Sequence, residues 1–141
     1  MYYIAYGSNM NIEQMSQRCP GSVKVGTVAL SNHRLVFRKH ATIEVAYGYH
    51  VPVVVWKITA RDEAVLDIYE GVPRYYRKEY ILLKINGKVH DALVYIMNGS
   101  GQSAPAQHYY DVIKDGYESA GIDIKVLEKA LTESTERSTQ Q

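Results

Sequence analysis

The dipeptide Asn86-Gly87 stands between two strand-like runs, "YYRKEYILLKI" and "VHDALVYIMN". Both residues tolerate positive φ, which a two-residue hairpin turn requires, so this is the strongest short hairpin signal in the chain. Similar runs fill much of what precedes it. Residues 2–6 read as a strand, and 23–30, 33–38 and 41–47 are rich in β-branched and aromatic residues, separated by polar breaks such as Ser31-Asn32. "HVPVVVWKI" (50–58) is almost continuously apolar, as expected of a strand covered on both faces. Helices are fewer. Residues 11–18 form a short one that "RCPG" ends. Thr59 caps a second over 60–70, with Asp62 and Glu63 in its first turn, and Gly71 and Pro73 stop it. Two more are expected near 105–120 and 123–133, divided by Gly121. Six or seven strands with few helices predict a barrel-like, mostly antiparallel α+β domain. Residues 1–131 read as one domain without repeat or linker. The segment 132–141, "TESTERSTQQ", has almost nothing to bury and is expected to fray.

Composition narrows the function. A net charge of +1 over 141 residues gives no reason to expect nucleic acid or a membrane surface as partner. The longest apolar run, Val51 to Trp56, contains Pro52 and is too short to span a bilayer. No basic segment followed by an apolar one opens the chain, and the single cysteine, Cys19, excludes an internal disulfide framework. A cytoplasmic protein is expected. The aromatic balance is unusual: thirteen tyrosines against one Phe and one Trp imply interior hydroxyls that need partners or line a polar cavity.

Most catalytic signatures are missing. His33, His40, His50, His90 and His108 form no HxxxH or HxH pair, and Cys19 has no histidine near it in sequence. Neither a metal nor a cofactor is expected. Two stretches stand out instead. "AYGSN" ends the first strand in Gly7-Ser8-Asn9, either a tight turn opening a helix or a small anion site made of N–H groups at a helix start. Glu70 falls in the last turn of the 60–70 helix, where the helix dipole disfavours a carboxylate. It is either a solvated surface residue or, if "YEGVP" turns inward, an acid/base group with a raised pKa.

Taken together, "YIAYGSNM" and "LDIYEGVPRYYR" resemble the two signatures of the gamma-glutamylcyclotransferase-like family. "ATIEV", "PVVVWKIT", "ALVYIM" and "SAPAQHYYDVIKDGYESAGI" follow in the family's order, so the resemblance covers nearly all of residues 2–122. Relatives that act on glutathione through a "YGSL" opening match less well, because position 9 is Asn. The resemblance implies a mixed barrel with a polar interior. It also implies a reaction in which the free α-amine of a small γ-glutamyl amine or amino acid attacks the γ-carbonyl, giving 5-oxoproline and the released amine. Tyr6, Gly7, Ser8 and Asn9 would then hold the glutamyl head, and Glu70 would be the proton acceptor. Tyr109, with Tyr110 beside it as the alternative, matches a substrate-contacting tyrosine; Tyr76 and Tyr95 match tyrosines that support the pocket. Two other readings share the fold. One is a cyclotransferase that removes a γ-glutamyl protecting group in a biosynthetic pathway. The other is a non-catalytic module that binds small molecules. The substrate itself supplies the nucleophile, so the chemistry needs no Ser, Cys or His from the protein.

Overall fold

The computed structural model describes residues 1–139, with side chains through Arg137. Its strands are β1 (Tyr2–Ala5), β2 (Val23–Arg38), β3 (His40–Lys57), β4 (Tyr76–Ile85) and β5 (Lys88–Met97). They form one sheet in the order β2-β3-β1-β5-β4. The first strand is central, antiparallel to β3 and parallel to β5, so the sheet is mixed but mostly antiparallel. The α+β class agrees with expectation; barrel closure does not, because β2 and β4 remain the edges of the sheet.

Merged strands explain the difference. The four runs expected between 23 and 58 are two long strands. Ser31-Asn32 makes a bulge rather than a reversal: the register shifts there, and Asn32 has φ 59°. The Asn32 side-chain oxygen accepts the Gly48 N–H at 3.2 Å, tying the bulge to the partner strand. Polar turn formers therefore interrupt the ladder without turning the chain. The reversal lies at Lys39 (φ 61°), between paired Arg38 and His40. The hairpin over Asn86-Gly87 forms as expected, with φ of 50° and 83° and Ile85 facing Lys88. Val51 and Val53 to Trp56 are buried one after another, as a strand covered on both faces requires.

Four helices are described: α1 (Ile12–Arg18), α2 (Ala60–Tyr69), α3 (Gln107–Ser119) and α4 (Lys125–Thr139). Asn11 caps α1 through its side-chain oxygen, and Thr59 and Asp62 form a reciprocal capping box on α2. Gly71 (φ 64°) provides the left-handed residue that ends α2. The last helix corrects the expectation of a frayed 132–141. It packs on β2 and continues through Thr139, while residues 140 and 141 lie outside the described part. Ser134 is buried there because its hydroxyl donates to the Leu131 carbonyl at 2.7 Å. A polar sequence can thus pack if its groups are satisfied within the helix. Among the described residues no helix is long and apolar enough to cross a membrane.

One contact fixes where α3 meets the Met10–Asn11 segment that leads into α1. A Cβ on Gly116 would lie 3.0 Å from the Asn11 nitrogen and from the Met10 carbonyl carbon. Those are main-chain atoms and cannot swing aside. Gly116→Ala is expected to lower stability by ~1–3 kcal/mol, the usual cost of overpacking, as read by urea unfolding. A loss within error would mean that this contact adapts freely.

Candidate active site

The central strand delivers the chain to a cavity. After Ala5, Tyr6 and Gly7 lead into a single 3-10 turn, Ser8–Met10. Met10 N–H donates to the Gly7 carbonyl at 3.0 Å and Asn11 N–H to that of Ser8 at 3.1 Å. The N–H groups of Ser8 and Asn9 precede these bonds and have no partner inside the turn. The need for glycine at position 7 is one of space. Its φ of −125° is not left-handed, but a Cβ would sit 3.2 Å from the Ala41 Cβ and 3.5 Å from the Tyr109 hydroxyl.

Asn9 is committed on every side. Its side chain donates to the Tyr3 hydroxyl at 2.9 Å and accepts from Arg18, and its carbonyl accepts the Trp56 indole N–H at 3.0 Å. Arg18 also lies 3.7 Å from the centre of the Tyr69 ring. The main chain of Ala41 is held from two directions. Its N–H donates to the Tyr109 hydroxyl at 2.9 Å, and its carbonyl accepts from the Tyr76 hydroxyl at 2.8 Å. Tyr6 donates to the Tyr95 carbonyl at 2.5 Å, and the Tyr95 hydroxyl donates to Asp67 at 2.6 Å. Burial pushes the hydroxyl pKa of Tyr3, Tyr6, Tyr76, Tyr95 and Tyr109 upward, so these groups stay protonated and able to donate.

Tyr3, Tyr69 and Ala41 are among the residues that line a cavity of about 610 Å³. Tyr6, Gly7, Ser8, Asn9, Glu70, Tyr76, Tyr95 and Tyr109 all line it, so the structure brings these eight candidates together. Tyr109, rather than Tyr110, faces the cavity; Tyr110 is buried against Phe37, with ring centres 6.2 Å apart. Sequence reasoning missed Arg18 and Ala41. Arg18 looks like any basic residue ending a helix, and Ala41 acts through main-chain groups that no side-chain pattern reveals.

Glu70 closes α2 with its carboxylate in the cavity wall, half-buried and without a hydrogen bond among the described residues. Burial raises its pKa to about 7, and the Arg18 charge opposes that rise in part. Near neutral pH such a group exchanges a proton readily, as a general acid/base must.

A sequence model of the family described as "Gamma-glutamyl cyclotransferase, AIG2-like" matches residues 3–117. The chain belongs to that family. A gamma-glutamylcyclotransferase of Mus musculus is 29% identical over 144 residues, covering 90% of this chain and 75% of the mouse protein. A solved structure of a gamma-glutamyl cyclotransferase has a TM-score of 0.81 at 26% identity, covering 92% of this chain and 85% of that one. An uncharacterized protein of Homo sapiens is similar at a TM-score of 0.80, with 26% identity and the same two coverages, 92% and 85%.

The raised pKa has a consequence for stability. Folding lifts Glu70 from 4.5 to about 7, so the folded state holds its proton more tightly than the unfolded state. The sign follows from linkage: this group favours folding below pH 4.5, and that advantage is lost as pH rises through 7. Glu70→Gln removes the charge that must be buried at high pH. Its melting temperature is expected to exceed that of the parent at pH 8, with the gap closing by pH 5. A lower melting temperature at pH 8 would show that the Glu70 charge is stabilised in place.

Proposed function

We propose that the protein cyclises the γ-glutamyl group of a small γ-glutamyl amine or amino acid, forming 5-oxoproline and releasing the amine. In this reading the α-amine attacks the γ-carbonyl carbon. A ring C–N bond forms and the original amide C–N bond breaks. Glu70 takes the proton that the ammonium must lose and later returns one to the departing nitrogen. The glutamyl head lies at the Tyr6–Asn9 turn, its carboxylate on the N–H groups of Ser8 and Asn9. Tyr109, Tyr76 and Tyr95 wall the bend the substrate must adopt. Holding a flexible chain in its attack geometry can supply ~7–11 kcal/mol in favourable cases. Cysteine, serine and histidine nucleophiles are not required.

The observation that supports this most is the Glu70 carboxylate, unbonded in the cavity wall with a pKa of about 7. A module that only bound ligands would gain nothing from a buried acid at a helix C-terminus, where the dipole opposes its charge.

The test is to incubate the protein with γ-glutamyl amino acids and amines and assay 5-oxoproline by mass spectrometry. Release is expected, with Glu70→Gln slower by at least ~10²-fold, the ordinary scale of general acid–base catalysis. Turnover should fall as pH drops through about 7, because protonated Glu70 cannot accept a proton, and this acid limb should vanish from the residual rate of Glu70→Gln. A variant retaining most of its activity would return the protein to the binding-module reading. Gly7→Val is expected to raise KM for every substrate, since its side chain must displace Ala41 or Tyr109. Unchanged KM would separate the Gly7 turn from substrate binding.

A further inference from the structure

Arg18 ends α1, where a cation suits the partial negative charge of the helix terminus. That placement is common and says nothing of function. What its side chain holds is less common. The guanidinium carbon is 3.7 Å from the centre of the Tyr69 ring, and Tyr69 is the residue before Glu70. The Nη1 group donates to the Asn9 side-chain oxygen and reaches the Ser8 hydroxyl oxygen at 3.5 Å. That hydroxyl also lies 3.4 Å from the Tyr69 hydroxyl, which closes the group.

Two observations separate this arginine from an ordinary helix end. It makes no ion pair among the described residues. Ser8, Asn9 and Tyr69 all line the cavity, whereas Arg18 is absent from the lining and stands behind them. A planar guanidinium can stack on a ring and donate from its edge at once, which an ammonium cannot. We infer that Arg18 is a positioning residue: from behind the cavity wall it ties the Ser8–Asn9 turn to the Tyr69–Glu70 end of α2, and so fixes the spacing between head-group site and proton acceptor. The inference rests on the cyclotransferase reading and adds to it a residue that touches no substrate.

The same tie carries charge. Arg18 opposes the upward push that burial gives Glu70. Around Glu70, Tyr3 and Tyr6 at the end of β1, Tyr76 on β4, Tyr95 on β5 and Tyr109 on α3 stay protonated. So does the Cys19 thiol next to Arg18, pushed up to about 11 by burial and by Asp62 of α2. Arg38, Lys39, His40, Tyr69, Arg74 and Tyr75 complete the titratable lining, and all are retained in the variants below.

Arg18→Gln removes both charge and stack, whereas Arg18→Lys keeps the charge and loses the stack. The test measures kcat and KM for γ-glutamyl-alanine across pH. It also follows the Glu70 titration without substrate, by carbon NMR on protein labelled in its glutamate side chains and assigned against Glu70→Gln. In Arg18→Lys, kcat should fall about tenfold with KM little changed, within the ~10²-fold that a misplacement of about 1 Å can cost. Its acid limb should stay near pH 7. In Arg18→Gln the loss should be at least as large. There the acid limb and the Glu70 titration should both move to higher pH, since removing a cation favours the protonated acid.

A raised KM with kcat intact in both variants would make Arg18 a substrate contact and overturn the inference. Equal losses in both, with the Glu70 titration unmoved, would mark a merely structural residue and overturn it too. Parent-like turnover in Arg18→Gln has the same consequence. If the parent releases no 5-oxoproline, the cyclotransferase reading falls by itself. The Glu70 titration then still decides the Arg18 link: an upward move supports it and no move overturns it.

Discussion

The main chain of Ala41 is the point on which the site depends. Its N–H and carbonyl are taken by the hydroxyls of Tyr109 and Tyr76, which come from α3 and from the start of β4. Its methyl group lies against Gly7, at the end of the central strand. Three separate parts of the chain thus converge on one residue of β3. Neutral hydrogen bonds of this kind contribute only ~1 kcal/mol each net, but leaving such buried groups unmet costs more. The arrangement is therefore held in place largely by the penalty for disturbing it. Gly7 makes it possible, since any side chain there would push the turn away from β3.

Around this point the interior is polar but satisfied. Tyr6, Tyr76 and Tyr95 aim their hydroxyls at main-chain carbonyls and at Asp67, each kept protonated by burial. Beside those neutral hydroxyls, Glu70 differs. Its carboxylate is desolvated and makes no hydrogen bond among the described residues, and the Arg18 charge favours its ionised form. A wall of protonated tyrosine hydroxyls beside one loosely held proton on Glu70 suits a reaction in which the substrate attacks itself and the protein moves a proton.

How much of this was legible in the sequence depended on the range of the interaction. Short-range signals read well. Asn86-Gly87 gave its hairpin, Thr59 its helix cap and Gly71 its helix stop, because each is decided within a few residues. Signals whose meaning depends on a distant partner did not. Ser31-Asn32 has the composition of a turn, yet becomes a bulge because Gly48 offers Asn32 a donor from across the ladder. The polar 132–139 segment reads as frayed but joins a helix packed on β2. Glu70 and the Tyr6–Asn9 turn were readable as candidates from local chemistry and family resemblance. Ala41 and Arg18 were not, because one works through its backbone and the other through contacts with Asn9 and Tyr69.

The central claim is that one carboxylate and one turn act on the same small head group. A crystal soaked with 5-oxoproline tests it most directly. The account predicts the ring carboxylate within hydrogen-bond distance of the Ser8 and Asn9 N–H groups, with the Glu70 carboxyl in reach of the ring nitrogen. Well-defined ligand density away from that turn, with Glu70 out of reach of the ring, would contradict it.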